Sequence, residues 1–284
     1  MEEIDRAITA TLCYSAVFDY PLTKAELWRY LSTKKKIPFT TFAKALQTNR
    51  FIKQKDGYFY LHGQEKMVSL RQKRKKISQQ KILHAKKICR LLQLIPTIQF
   101  IGLSGSLSME NANKNADIDF FIIASYGTIW LTRLFIFLFL QSIGKRRRRD
   151  AIAAPNTVCV NMLIDTTHIE FPKNRQDMYT AHEIMQMKPL FIRNNIYEIF
   201  LQKNMWVKKY LFNSVSFSKK QKKIKSPKNH FFFLETLAKN VQLWYMKKHM
   251  TKEIIKTGFL AFHPNSYREY VLAKWIEQKK QYGI

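Results

Sequence analysis

The sequence predicts a mixed α+β protein: an α/β (α+β) core with a mixed sheet, preceded by a small helical unit that ends in a hairpin and followed by a helical C-terminal part. Three observations predict it. First, two apolar runs, Ile98-Gln99-Phe100-Ile101-Gly102-Leu103 and Phe120-Phe121-Ile122-Ile123, flank a polar loop, the pattern of buried strands. Second, stretches with apolar residues every three or four positions lie on both sides of that pair. Third, Asp56-Gly57 stands between two short apolar runs, a strong hairpin signal. The reading divides the chain at 1–63, 64–96, 97–175 and 176–284.

Residues 1–63 read as a winged helix-turn-helix. Ile4, Ile8 and Leu12 mark one face of a first helix. Thr23 and Glu26 stand three apart as a capping box, which starts a second helix bearing Leu27, Trp28 and Leu31. A third is expected to begin near Thr40 or Thr41, with Phe42, Ala43 and Leu46 inward, followed by the hairpin around Asp56-Gly57. Thr40, Thr41, Lys44, Gln47 and Arg50 then face outward, where they can reach bases or phosphates if this unit reads DNA. The alternative is that it packs on the rest of the chain or on a protein partner.

Residues 64–96 read as a basic connecting helix. Arg71, Lys73, Arg74, Lys75 and Lys76 form a solvated run, Ala85, Ile88, Leu92 and Ile95 an apolar face, and Pro96 ends it.

The stretch 98–124 carries the chemistry. Its first strand ends in the turn Ser104-Gly105-Ser106, and its second opens with Asp117-Ile118-Asp119. Side chains alternate along a strand, so both aspartates face one way. Two carboxylates beside a turn with free amides suit a divalent cation that holds a phosphate chain, because Mg²⁺ takes oxygen ligands and keeps phosphate oxygens in its shell. Gly105 lets backbone come close to a phosphate, and the Ser106 hydroxyl can donate to it.

These residues resemble the nucleotidyltransferase superfamily, the fold of polymerase beta and the CCA-adding enzymes: Gly105-Ser106 after a strand, ten intervening residues, then two acids separated by one apolar residue. The resemblance spans about residues 98–170. It implies a Mg²⁺- or Mn²⁺-dependent transfer of a nucleoside monophosphate from an NTP to an acceptor hydroxyl. Asp117 and Asp119 would be catalytic metal ligands, and Gly105 and Ser106 the nucleotide cradle. The superfamily has a third acid on a following strand, here Val158-Cys159-Val160-Asn161-Met162-Leu163. Asn161 occupies the aligned position, and Asp165 lies four residues on, so Asp165 is the expected third catalytic ligand and Asn161 the alternative; Glu170 is a further candidate. With Asn161 in that place, the core reads instead as a degenerate nucleotide sensor in a winged-helix, nucleic-acid-binding regulator. The order of parts, with Phe18-Asp19-Tyr20-Pro21-Leu22-Thr23, Ser104-Gly105-Ser106-Leu107 and Phe262-His263-Pro264, also resembles bacterial nucleotidyltransferase-domain proteins with an N-terminal winged helix.

After the second strand, residues 129–143 form an apolar helix stopped by Gly144, too short and too polar at Thr132 and Arg133 to span a membrane. Lys145-Arg146-Arg147-Arg148-Arg149 follows, a run whose self-repulsion keeps it loose until it meets an anion; Arg146, Arg147 and Arg148 are candidate nucleic-acid contacts. From Met178 on, the pattern reads as helical through Leu190, Ile199 and Phe200, then Val241 to Trp244, Ile254-Ile255 and Tyr270 to Ile276. Six lysines over 219–228, with Ser226 and Pro227, mark a linker. Trp206, Trp244 and Trp275 are expected in the core, and His249 and His263 have no ligand spacing.

A formal charge of +29 in 284 residues favours a polyanionic partner, nucleic acid first and an anionic membrane second; a general lysine bias is the plain alternative. The surplus sits in the flanks, whereas 97–170 is nearly neutral. Three separated cysteines and an acidic N-terminus point to a reducing, cytoplasmic setting without zinc or disulfides. Oligomeric state is not legible.

Overall fold

The centre of the molecule is the pair of strands that the two apolar runs form. The computed structural model describes residues 2–147, 155–215, 232–247, 254–262 and 265–284. Strand β4 (Ile98–Leu103) pairs antiparallel with β5 (Ile118–Ala124), Leu103 opposite Phe120 and Ile98 opposite Ala124. Every residue of β5 is buried, as expected of an interior strand covered on both faces. The helix α6 (Ile129–Ser142) carries the chain over to β6 (Val158–Asp165), which runs parallel to β5. Such a parallel return needs a crossover element of this kind.

Two further segments complete the sheet. Strand β7 (Lys188–Ile192) joins the outer edge of β4, and the hairpin β8 (Ile254–Lys256) and β9 (Phe259–Ala261) extends it beyond β6. The order is β7-β4-β5-β6-β9-β8, a mixed six-stranded sheet. The stretch read as helical from Met178 onward therefore contains three strands. Leu190 and Ile254-Ile255 lie on strands rather than helices, and Pro189 is tolerated because β7 is an edge strand. The remainder of that stretch is helical: α7 (Met178–Gln186), α8 (Ile196–Lys203), α9 (Phe232–Lys247) and α10 (Asn265–Gln281).

Alternation along the strands divides the sheet's side chains between two cores. Ile101, Leu103, Phe120 and Ile122 pack under α4 (Lys66–Leu92), α6 and α9. Phe100, Phe121, Ile123 and Ile164 pack under α7 and α8. Phe100 and Phe120 are fully buried, each worth about 2–3 kcal/mol of transfer free energy.

The N-terminal part has a third core of Ile8, Leu12, Leu27, Leu31, Phe42 and Leu61. It is built from α1 (Glu3–Ala16), the two-residue strand β1 (Leu22–Thr23), α2 (Lys24–Arg29), α3 (Phe39–Thr48) and the hairpin β2 (Ile52–Lys55) and β3 (Tyr58–Leu61). The Thr23 and Glu26 capping box forms, and Asp56-Gly57 makes the turn with positive φ at both residues. Strand β1 adds to the hairpin in the order β1-β3-β2.

This part is fastened to the rest. The Tyr20 hydroxyl donates to Met109 O at 2.8 Å, Asn111 Nδ2 to Phe18 O at 2.9 Å, and Trp275 Nε1 on α10 to Ala10 O at 2.8 Å. Arg71, read as part of a solvated run, is instead buried: its guanidinium lies over the rings of Tyr20 and Tyr58 and pairs with Glu26 at 2.7 Å. Trp206 is in the core, whereas Trp244, expected there, is 72% exposed on α9. His249 and His263, the stretch Lys219 to Lys228, and Arg148 and Arg149 lie outside the described residues. No described helix is long and apolar enough to cross a membrane.

Candidate active site

The turn after β4 sets the site. Gly105 has φ +61° and opens the single turn α5 (Gly105–Ser108). A Cβ there would stand 2.6 Å from Asp119 Oδ2, so only glycine lets the turn lie against that carboxylate. Ser104 N–H donates to Asp119 O at 3.0 Å, Ser108 Oγ to Gly105 O at 2.8 Å and Asn111 N–H to Ser106 O at 2.8 Å, which fix the loop.

Asp117, Asp119 and Cys159 converge. One ligand atom from each lies within 4.8 Å of the others, which shows both acids on one side of β5 as alternation requires. Burial, with Asp117 alongside, pushes the Asp119 carboxyl well above the usual carboxylate range. Burial also lifts the Cys159 thiol to about 12, so it stays protonated. Arg147 caps the cluster: its guanidinium pairs with Asp117 and also bonds to Cys159. Lys81 Nζ donates to Ala116 O at 2.6 Å and to Asn156 Oδ1 at 3.3 Å, holding the loop that enters β5.

The third position differs from expectation. In the parallel β5–β6 pair, Asp119 stands opposite Cys159 and Ala124 opposite Asp165. Asp165 is thus at the far end of the strand, six residues and roughly 20 Å from Cys159 at about 3.3 Å per residue. Its Oδ1 accepts from Thr167 N–H at 2.9 Å, Thr167 Oγ1 at 2.7 Å and His168 N–H at 3.1 Å, so it caps a turn and takes no part in the cluster. Glu170 is exposed on the same remote side. Asn161 is buried and lines the same cavity as Gly105, Ser106 and Asp119.

The expected cationic contacts are distributed differently. Lys44 and Arg50 are exposed on α3 and just beyond it, with Thr40, Thr41 and Gln47 also outward and the Arg50 guanidinium 4.9 Å from the Phe51 ring. Arg146 lies over the Phe137 ring at 3.9 Å and donates to Gln141 at 3.0 Å, while Arg147 is committed to Asp117. Neither Arg146 nor Arg147 is in a loose loop: Val158 N–H donates to Lys145 O at 2.7 Å, which ties the run to β6.

Beyond the carboxylates a chamber of about 260 Å³ extends to the N-terminal part and to α7 and α10. Two residues on it escaped sequence reasoning. Glu183 on α7 has its carboxyl raised to about 7 by burial. His182 stacks on Tyr14 with ring centres 4.0 Å apart, accepts at Nδ1 from Gln186 Nε2–H at 2.8 Å, and is held neutral, its pKa lowered to about 3 by burial. The one local hint was Tyr179 and Glu183 four apart, hence on one face of a helix. Comparison of the chain with family models, with curated proteins and with solved structures gives no match.

Proposed function

We propose that the chain is a metal-dependent nucleotidyltransferase, with a nucleoside triphosphate as donor and a hydroxyl as acceptor. The observation that carries this reading is the convergence of Asp117 and Asp119 on the Gly105-Ser106 turn. A carboxylate as buried as Asp119, next to a second acid, calls for a cation. The cluster fits Mg²⁺ or Mn²⁺ through Asp117 and Asp119, with the Asn161 side-chain oxygen as a further neutral donor; a protonated Cys159 thiol adds little for so hard an ion. When bound, such ions activate the acceptor hydroxyl and neutralise the leaving pyrophosphate. The chain's own residues supply the rest. The Gly105 and Ser106 turn presents backbone and hydroxyl donors to phosphate, and Arg147 supplies a fixed positive charge at the mouth of the cluster.

In this reading the N-terminal helices and hairpin form a winged helix, and the exposed face of α3 is the part of it suited to nucleic acid. The asparagine at 161 and the thiol at 159 favour a second reading, a sensor that binds nucleotide without transfer.

The test is incorporation of label from each α-labelled NTP with Mg²⁺ or Mn²⁺, offered RNA, DNA, the protein itself and small alcohols. Transfer by the wild type and none by Asp117→Ala/Asp119→Ala establishes the activity. Loss of a preorganised ligand of this kind removes several kcal/mol of transition-state stabilisation. NTP binding without transfer selects the sensor.

A further inference from the structure

We infer that the chamber beside Asp119 is a binding site for a small alcohol bearing an ammonium group, and that this molecule, rather than a nucleic acid, is the acceptor. The inference rests on the transfer reading for its second half alone. Three observations carry it.

The first is charge. The chain has 49 lysines and arginines, and among the described residues that line the chamber not one is a lysine or arginine. Its ionisable acids are Asp119, at the cluster, and Glu183, on the α7 wall. Glu183 makes no hydrogen bond or ion pair among the described residues, so the fold has placed a carboxylate in a basic protein and left it for a ligand.

The second is the wall. Six rings surround the space, from Tyr14, Phe18, Tyr20, Tyr30, Tyr179 and Tyr267. Tyr20 and Tyr30 already carry the guanidiniums of Arg71 and Arg29 on a ring face and Tyr14 stacks on His182; the remaining aromatic surface together with one carboxylate forms the chemistry that recognises an alkylammonium ion. A phosphodiester backbone meets the opposite: no cation on the walls and two acids facing it.

The third is size and access. The chamber holds about 260 Å³ between α1, α7 and α10, a volume that suits a small molecule. Ser106 and Asp119 line the chamber together with Glu183, so a ligand whose ammonium sits at Glu183 can direct a hydroxyl toward the cluster. In the transfer, that oxygen forms the bond to the α-phosphorus and the bond from the α-phosphorus to the bridging oxygen breaks. Pyrophosphate leaves with the electron pair, and the hydroxyl proton passes to solvent.

Binding is measured by saturation-transfer NMR on the full chain at pH 8, without nucleotide or metal. The probes are choline and ethanolamine, each beside its uncharged counterpart, 3,3-dimethylbutan-1-ol and ethanol. At millimolar concentration, at least one charged probe is expected to bind and its counterpart not. Glu183→Gln should weaken the charged probe about tenfold or more. Tyr267→Leu, on the half-exposed rim, should weaken it less while leaving the melting temperature unchanged. Equal binding of charged and uncharged members, binding by none of the four, or an unchanged affinity in Glu183→Gln overturns the site. With the site established, label found on the amine-bearing alcohol in the α-labelled assay confirms the acceptor, and label on RNA or DNA instead overturns that assignment. Amine binding with no label on any acceptor sinks the transfer reading and leaves the binding site standing.

Discussion

A carboxyl held at about 7 in the fold and at 4.5 in the open chain makes a definite statement about stability. The folded protein binds that proton more tightly than the unfolded one. The stability this supplies is therefore complete below pH 4.5 and is lost as the pH rises through 7. At about 1.4 kcal/mol per pH unit, keeping Glu183 ionised in its burial costs the fold about 3 kcal/mol at pH 8. Glu183→Gln keeps the shape and removes the charge. It should raise the melting temperature at pH 8 by roughly 5 °C for a chain of this size and change it little at pH 4.5. Asp119 adds in the same direction, because Glu183 contributes to its raised carboxyl. His182, neutral at both pH values in the fold, cancels in the difference between the two proteins. Calorimetric melts of both proteins from pH 4.5 to 8.5 supply the measurement. A stability difference that does not grow with pH, or a variant less stable at pH 8, would refute the reasoning.

Three further outcomes are expected. Gly105→Ala places a methyl 2.6 Å from Asp119 Oδ2 at a φ of +61°, so label transfer should fall at least a hundredfold, about 3 kcal/mol, while circular dichroism shows the sheet intact. Asn204 is fully buried and makes four hydrogen bonds: Nδ2 to Ile169 O at 2.7 Å and Phe200 O at 2.8 Å, and Oδ1 from Phe171 N–H at 3.0 Å and Trp206 Nε1–H at 2.9 Å. Asn204→Ala orphans these partners and should cost about 3 kcal/mol or more in urea melts. Burial raises Cys13 and Cys159 to about 12 and Cys89 to about 11, so the native protein should consume iodoacetamide slowly at pH 8 and give up all three thiols on unfolding.

What the sequence made legible was local. The β4–turn–β5 segment announced itself because strands buried on both faces read as continuous apolar runs, and the capping box and the Asp56-Gly57 turn are fixed by residues a few positions apart. Which β6 residue stands beside Asp119 was not legible, because the register of β6 against β5 is set across α6, some 40 residues away in the chain. Strand alternation places Asn161 and Asp165 on one face and says nothing about which end meets Asp119. Arg71 misled for a related reason: its long side chain reaches Glu26 and two tyrosines that the sequence keeps well apart from it. Pro189 was a usable signal, since it argues against continuing α7 and suits an edge strand.

The position of α10 gives the protein an order of assembly. Its Trp275 hydrogen-bonds to the carbonyl of Ala10, and its Tyr267 is a wall of the chamber. Helix α1 therefore waits for α10, some 250 residues further on, before the chamber can close, and β9 reaches β6 only after almost 100 further residues have been synthesised. Contacts between such distant parts make folding slow and all-or-nothing. A ribosome-bound fragment ending before residue 265 lacks Tyr267 and Trp275, so emergence of α10 is the step that supplies this wall of the chamber.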